Sequence, residues 1–234
     1  MLNGKNIGAV IAAAGAGTRM GISPAKQFLE LQGKAVLVRT LEAFERSPVV
    51  DLIVVSSRGE DIRAVKSLVG VHNLSKVVHV VEGGAHRQDS VWKGIERLSE
   101  HGTDIVLIHD AVRPFVRPEL IHSVTLAACE YGAAICAIRP KDTVKLSNED
   151  VFIDTTLNRN QAWLAQTPQA FQIDLFCRAY ADAVSNKFFG TDDAILVERI
   201  GGRVKIVEGS YENIKITTPE DFALAGLIAH SFFK

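Results

Sequence analysis

Short apolar runs rich in β-branched residues recur along the chain and predict buried strands. They lack the alternation of a half-exposed strand, which is typical of parallel strands covered on both faces. The predicted strands are Ile7–Ala13, Asp51–Ser56, Lys76–Val81, Asp104–His109 and Ala133–Ile138.

The segments between these runs have the spacing of amphipathic helices. Val91, Ile95 and Leu98, with Trp92 beside them, fall on one helical face, and a second such face begins at Leu120 and continues through Ile121, Val124 and Ala128. Strands that alternate with helices favour an α/β fold, with a mostly parallel sheet and right-handed crossovers.

Sheets of this class bind ligands beyond the carboxyl ends of their strands. The loops that begin near residues 13, 56, 82, 109 and 139 are therefore the first places to look for a site.

Residues 139–160 interrupt the alternation, because they are polar and β-leaning without a helical period. A turn at Ser147–Asp150 separates two extended stretches, which predicts a β-hairpin arm that protrudes from the core. A two-stranded hairpin is marginal by itself and exposes its edges. We expect the same arm of a second subunit to cover it in a homodimer; the alternative is a lid packed on its own domain.

Composition narrows the class of protein. The 234 residues are 47% hydrophobic with a net charge of −1, so the chain is expected to form one globular domain over residues 1–234, with the arm as a subregion. The near balance of 26 basic and 27 acidic residues offers no overall attraction to nucleic acid or to a membrane surface.

Targeting and redox signals are weak. No apolar run approaches the roughly 20 residues of a transmembrane helix, and the first residues fit a signal peptide poorly. Cys129, Cys136 and Cys177 sit singly in apolar surroundings and match no zinc or redox spacing. We therefore expect a cytoplasmic protein with buried free thiols.

The loop after the first predicted strand has the composition of a phosphate-binding loop. It reads Ala13-Ala14-Gly15-Ala16-Gly17-Thr18-Arg19-Met20-Gly21. Glycines let the backbone approach a phosphate chain with its N–H groups pointing inward. The third glycine of a dinucleotide fingerprint is absent, as is the Gly-Lys-Ser/Thr of a Walker A loop. Arg19 and Lys26 instead supply two cations, which suits a triphosphate; the alternative is a tight structural turn.

Later strand ends favour the ligand-binding interpretation. Gly83-Gly84 precedes a helix that contains Ser90, an arrangement that can present backbone groups and a hydroxyl to a base or phosphate. Asp110 follows a strand, where a carboxylate can hold Mg²⁺ or a ribose hydroxyl, and Arg113 could clamp a phosphate.

Three further residues complete this part of the prediction. His109 is expected to pack against its neighbours or orient them rather than act as a base. Lys215 is expected to lie in a strand just before a helix that Thr218 caps, with proline in its first turn.

These motifs resemble a known group. The opening Ala-Ala-Gly-x-Gly-Thr-Arg-Met, followed by a lysine and by Gly33-Lys34-x-x-Leu37, is similar to the sugar-nucleotide-type nucleotidyltransferases. A narrower set resembles the 2-C-methyl-D-erythritol 4-phosphate cytidylyltransferase family of the non-mevalonate isoprenoid pathway. That set comprises Lys26-Gln27-Phe28, Arg87-x-x-Ser90-Val91, His109-Asp110-Ala111-x-Arg113-Pro114-Phe115, Gln166-Thr167-Pro168-Gln169-x-Phe171, Thr191-Asp192-Asp193-Ala194 and Asn213-Ile214-Lys215-Ile216-Thr217.

The resemblance implies a Rossmann-like nucleotidyltransferase fold and roles for particular residues. CTP is the implied co-substrate, Mg²⁺ the implied metal, and 2-C-methyl-D-erythritol 4-phosphate the implied acceptor. The catalytic cations would be Arg19, Lys26 and Lys215. The CTP site would comprise Ala13, Ala14, Gly15, Gly17, Gly84, Ala85, Ser90, Asp110 and Ala111, with Asp110 also at the metal. The sugar phosphate would meet Arg113 and Thr167, and Thr143 and Arg159 from the neighbouring subunit's arm.

Two other functions stay open on the sequence alone. Ribitol 5-phosphate cytidylyltransferase shares several of the blocks, although Ala13-Ala14-Gly15 and Asp89-Ser90-Val91 favour the erythritol enzyme. A nucleotide-binding module without catalysis is the second alternative; the presence of Arg19, Lys26, Asp110 and Lys215 argues against it, because binding alone would tolerate their loss.

Overall fold

A seven-stranded sheet with helices on both faces forms the centre of the protein. The computed structural model describes Leu2, residues 4–15 and residues 25–233. The strands are β1 Ile7–Ala13, β2 Glu30–Leu31, β3 Lys34–Ala35, β4 Leu52–Ser57, β5 Val77–Glu82, β6 Ile105–Asp110, β7 Ala133–Ile138, β8 Lys145–Ser147, β9 Ile153–Thr156, β10 Leu164–Gln172 and β11 Lys205–Glu208. The α-helices are α1 Val36–Arg46, α2 Ile62–Val71, α3 Arg87–Ser99, α4 Pro118–Tyr131, α5 Ile173–Ser185, α6 Ala194–Arg199 and α7 Pro219–Phe232.

The sheet order is β11-β7-β10-β6-β1-β4-β5, and all five predicted strands lie in it with ends within one residue of the prediction. β1 runs parallel to both β4 and β6, which places Ala13 beside Ser57 and Ala12 beside Asp110. Because these strands end at the same edge, the loops that follow them converge there, as the α/β prediction required.

The sequence pattern missed two strands of this sheet. β10 lies antiparallel between β6 and β7, and β11 continues the sheet parallel to β7. β10 was not predicted because Gln166, Thr167 and Gln169 interrupt its apolar run. All three residues are nevertheless buried, and their amide and hydroxyl groups form hydrogen bonds. The sheet is thus mostly parallel, with one antiparallel strand beside the predicted site.

Two apolar layers cover the sheet. One layer includes buried residues of α1, α2 and α4, and the other includes buried residues of α3, α5 and α6. Val91, Ile95 and Leu98 are buried on α3, as their spacing predicted, and Trp92 stacks on Tyr180 at the border of that layer. A third cluster joins α7 to Phe115. In the part of the chain that the structure describes, no helix is long and apolar enough to cross a bilayer.

The start of α7 confirms the predicted cap. Asp221 N–H donates to the Thr218 hydroxyl over 3.3 Å, and the Asp221 carboxylate accepts from Thr218 N–H over 2.9 Å. The preceding prediction for Lys215 is wrong, because this residue lies in an irregular segment rather than a strand. Ile216 N–H donates to Val112 O over 3.0 Å, which ties the segment to the loop after β6.

Removing the cap hydroxyl should destabilise the protein modestly. We expect Thr218→Ala to lower the free energy of unfolding by about 1 kcal/mol, because the Asp221 N–H loses its acceptor. Thr218→Ser keeps the hydroxyl and should retain most of that stability. Urea denaturation of the three proteins measures the difference; equal loss in both variants would assign the effect to the threonine methyl group.

The hairpin is formed by β8 and β9, which pair antiparallel as predicted. Every residue of both strands is exposed, and the turn region carries Val151, Phe152 and Ile153 at 82%, 72% and 65% exposure. In contrast to these exposed strands, the base of the arm is fixed by side-chain contacts. The Arg139 guanidinium stacks 3.8 Å from the Trp163 ring centroid, and the Tyr211 hydroxyl donates to Arg139 O over 2.8 Å. The arm therefore extends from a firm base with an apolar tip in solvent.

Candidate active site

A pocket of about 380 Å³ opens at the carboxyl edge of β1, β5 and β6. Three of the five loops singled out from the sequence contribute to it, along with the segments around Lys26 and Lys215. Its lining comprises Ala12, Ala13, Ala14, Gly15, Lys26, Gln27, Gly84, Ala85, His86, Arg87, Ser90, Asp110, Ala111, Val112 and Lys215. Most residues predicted for CTP are thus brought together.

The turn after β5 forms a close-packed wall. A Cβ atom on Gly83 would lie 2.5 Å from the Ala14 Cβ, and one on Gly84 would lie 2.3 Å from the Asp89 Cβ. Both glycines are therefore required by close approach, and Gly84 lines the pocket. Ser90 shapes this turn, because its hydroxyl accepts from Gly84 N–H and donates to His86 O, each over 3.0 Å.

Asp110 lies at the floor of the pocket among three cations. Its Oδ2 accepts from Lys215 Nζ at 3.0 Å and Arg113 Nε at 3.2 Å, while Oδ1 accepts from Arg87 Nε at 3.3 Å. Burial by itself would raise the pKa of this carboxyl. The charges of Arg87, Lys215 and Arg113 outweigh burial and hold the pKa well below its ordinary value, so Asp110 is ionised at neutral pH.

A buried histidine supports Asp110 from below. Burial lowers the pKa of His109 to about 4, so the ring is neutral. Its Nε2 faces Arg113 O at 3.1 Å, which requires Nε2–H, and its Nδ1 then accepts from the Thr167 hydroxyl at 3.0 Å. The same hydroxyl accepts from Asp110 N–H over 3.1 Å. This agrees with the expectation that His109 orients its neighbours.

Two residues predicted for the sugar phosphate lie behind the pocket lining. Arg113 is buried, with Nε on Asp110 and Nη1 donating to Asn213 O over 2.8 Å. The Thr167 hydroxyl is engaged by His109 and Asp110, as described above. The arm residues Thr143 and Arg159 do not line this pocket either. Both are exposed, and Arg159 Nη1 donates to Lys141 O over 3.2 Å. Gly17 and Arg19 lie outside the described residues.

Sequence reasoning missed three residues that build the site. Arg87 bridges Asp110 and the buried Asp193, with 2.8 Å between its Nη1 and Asp193 Oδ2. Buried Gln27 donates to Ala13 O over 3.3 Å and so holds the end of β1. All three lie in motifs that carry the family resemblance. Their residue types alone could not reveal them, because a supporting side chain is defined by its partners.

The site supplies only some of the ligands that a divalent cation needs. Asp110 is a single carboxylate, and the described residues contain no group of three or more side chains placed to hold a metal ion. Mg²⁺ is commonly bound through one or two carboxylates together with substrate phosphates and water. The residues therefore fit a cation that a triphosphate carries in, rather than one that the protein cages alone.

The fold and the pocket together define a Rossmann-like nucleotidyltransferase: a glycine turn and a lysine- and arginine-rich floor lie at the strand ends of a mostly parallel sheet. Residues 7–231 match the family model "2-C-methyl-D-erythritol 4-phosphate cytidylyltransferase". The chain belongs to this family, and its activity is the cytidylyl transfer after which the family is named.

Individual relatives agree over nearly the full chain. The protein of this name from Geobacillus kaustophilus is 46% identical over 97% of this chain and 98% of its own length. That from Geobacter metallireducens is 49% identical over 93% and 94%. A crystal structure of 4-diphosphocytidyl-2C-methyl-D-erythritol synthase from Anaerococcus prevotii superposes with a TM-score of 0.87 and 35% identity, covering 97% of this chain and 100% of that one.

Proposed function

We propose that this pocket transfers CMP from CTP to 2-C-methyl-D-erythritol 4-phosphate by stabilising charge, without a general base. The observation that carries this proposal is the ionised Asp110 among Arg87, Arg113 and Lys215, beside a glycine turn and Lys26. The acceptor's phosphate monoester has a second pKa near ~6 and is largely dianionic at neutral pH. It needs no base, and the buried neutral His109 offers none.

The reaction forms one bond and breaks one. A phosphate oxygen of the acceptor attacks the α-phosphorus of CTP, and the bond to the β-phosphate oxygen breaks, so pyrophosphate leaves with the electron pair. Negative charge grows on the equatorial and leaving oxygens. Lys26 and Lys215, with Arg19 as the family resemblance implies, would stabilise that charge more than they stabilise bound CTP.

Mg²⁺ is part of this proposal. Asp110 would hold it together with triphosphate oxygens, where it would neutralise phosphate charge. The wall formed by Gly84, Ala85 and Ser90 would meet the base, largely through backbone groups.

The proposed assembly is a homodimer in which the arm completes the partner's site. The support is the exposed arm: every residue of its two strands is exposed, its tip is apolar, and Thr143 and Arg159 do not line the pocket of their own chain. A two-fold dimer would cover both arms with one self-complementary contact. Arg159 and Thr143 would then reach the partner's sugar phosphate, with Arg113 and Thr167 assisting from below.

The proposal extends to domain organisation, location and partners. The chain would act as one nucleotidyltransferase domain with the arm as its dimerisation element. It would act in the cytoplasm on small-molecule substrates, without nucleic-acid or membrane partners. Its balanced charge supports the last point.

Nucleotide and acceptor competition tests the assignment. We expect CTP to be strongly preferred over UTP, ATP and GTP, because the Ala13–Ala14 loop and the closely packed Gly83–Gly84 turn would leave room for a pyrimidine rather than a purine. Activity should require Mg²⁺, and methylerythritol phosphate should be used faster than ribitol phosphate. Pyrophosphate release measures each combination.

Each contrary result has a distinct meaning. Equal turnover of ATP and CTP would contradict the proposed base site. Faster turnover of ribitol phosphate would move the acceptor assignment to the ribitol enzyme. CTP binding without pyrophosphate release from either acceptor would favour a binding module.

A further inference from the structure

One guanidinium joins two carboxylates that belong to separate parts of the fold. Arg87 is the first residue of α3, and its Nε donates to Asp110 Oδ1 over 3.3 Å at the end of β6. Its Nη1 donates to Asp193 Oδ2 over 2.8 Å, directly before α6. Two different nitrogens of one planar group are therefore used, which a lysine ammonium could not reproduce with the same reach and angle.

Asp193 is itself held firmly and lies outside the pocket lining. Its side chain is 2% exposed, and the backbone N–H groups of Asp193 and Ala194 both donate to Gln169 Oε1, over 3.1 and 3.0 Å. Gln169 Nε2 donates to Asp192 Oδ2 over 2.8 Å. The Asp193 carboxylate thus has a fixed position set by β10, and it does not line the pocket.

A buried carboxylate is costly unless a cation pairs with it. Burial raises the pKa of Asp193, and the charge of Arg87 opposes that rise. Desolvation by itself would lower the pKa of the Arg87 guanidinium, but Asp193 and Asp110 raise it well above its ordinary value. Arg87 is thus a permanent cation between the two acids.

A second link joins the same parts of the fold. Gln88 Nε2 donates to Phe188 O over 3.2 Å, and Gly190 N–H donates to Gln88 Oε1 over 3.0 Å. The first turn of α3 is therefore fastened to the segment 188–193 by two consecutive side chains. That turn also follows the pocket wall at Ala85.

We propose that Arg87 is a positioning residue and that Asp193 aims it, so that the chain Gln169–Asp193–Arg87 sets the orientation of the Asp110 carboxylate. With Nη1 held by Asp193, only Nε meets Oδ1, while Arg113 and Lys215 take Oδ2. The carboxylate plane is then fixed before CTP binds. This inference rests on the proposed function, in which Asp110 meets the nucleotide and its metal.

The test uses Arg87→Lys, Asp193→Asn and the double variant. Arg87→Lys keeps a cation near buried Asp193, and Asp193→Asn changes neither size nor backbone. Each single variant should raise KM and the directly measured Kd for CTP by about 10-fold, while KM for the sugar phosphate stays within about twofold. The double variant should bind CTP no more weakly than the weaker-binding single variant, because the effects of coupled residues do not add. The matched control is Arg97→Lys on the same helix, because Arg97 forms an exposed ion pair with Glu100. Its KM and Kd for CTP should equal those of the parent protein.

Several results would overturn the inference. Parental CTP affinity in Asp193→Asn, with weakened affinity in Arg87→Lys, would mean that Arg87 contacts the nucleotide directly and that Asp193 does not aim it. Multiplicative losses in the double variant would show two independent effects. A lower melting temperature and lower kcat with unchanged KM values would assign a purely structural role.

The proposed function fails separately from this inference. A parent protein that releases no pyrophosphate would contradict the assigned reaction, while calorimetric Kd values for CTP would still test the positioning chain. If Arg87→Lys does not fold, Asp193→Asn alone decides, because parental KM and Kd for CTP in that variant overturn the inference.

Discussion

Replacing Lys26 or Lys215 by alanine should lower kcat about 10²-fold or more, the scale of losing one preorganised group that stabilises transition-state charge. Both lysines line the pocket, and Lys215 Nζ lies 3.0 Å from Asp110 Oδ2. The effect should fall on kcat because growing charge on the transferred and leaving oxygens demands more of these cations than bound CTP does. Pyrophosphate release at saturating CTP and acceptor measures it.

The fold should barely change in either variant. Lys215 is 35% exposed, and its removal leaves Asp110 paired with Arg87 and Arg113. Urea denaturation should therefore give nearly parental free energies of unfolding. Lys66→Ala, at an exposed position on α2, is the control and should be fully active. A Lys26 or Lys215 variant that unfolds would show that the lysine is structural, and a folded variant with near-parental kcat would contradict its catalytic role.

Mixing Lys26→Ala with Arg159→Ala should restore activity when the assay uses an acceptor concentration far below the raised KM of Arg159→Ala, at which both variants are nearly inactive. Lys26→Ala damages the pocket of its own chain, whereas Arg159→Ala damages an arm that is proposed to serve the partner. A mixed dimer then has one site with both defects and one whole site. Random subunit exchange makes roughly half of the dimers mixed, so activity should return to about a quarter of the parental value.

Arg159→Ala by itself should raise KM for the sugar phosphate far more than KM for CTP, because a guanidinium grips a phosphate through two parallel hydrogen bonds. Lys26→Ala mixed with Lys215→Ala is the control for exchange: both defects lie in the same pocket, so every site keeps one and activity stays low. If Lys26→Ala mixed with Arg159→Ala also shows low activity, the arm serves the pocket of its own chain. A monomer in sedimentation at assay concentrations would reject the arrangement outright.

Five strands of the sheet and their ends were predictable from the sequence because each is a mostly apolar run of β-branched and small residues. Ile7–Ala13 and Ala133–Ile138 are buried on both faces, and that burial leaves a local signature. β10 has no such signature. Its Gln166 and Gln169 are buried because partners from distant segments satisfy their amides, including Ser210 O and the backbone at Asp193.

The candidate site divides in the same way. Ala13, Gly84, Ser90 and Asp110 could be placed at the pocket from the sequence, because the glycine turns and the strand ends that carry them are local features. Lys215 lines the pocket as the family motif implied, although the strand predicted for it does not form. The roles of Arg113 and Thr167 could not be settled there. Both were expected at a ligand, and in the structure their polar groups are engaged around Asp110 and His109.

What the sequence determined by itself was the α/β class, the edge of the sheet at which the pocket opens, the cap of α7 and the exposed hairpin. These follow from periodicity, glycine placement and capping chemistry, all of which act over a few neighbouring residues. Only the tertiary structure decided that Arg87 joins Asp110 to Asp193. Asp110 lies 23 positions and Asp193 lies 106 positions from Arg87 along the chain. Ion pairs of that kind depend on which elements pack together, and burial then makes them strong and specific.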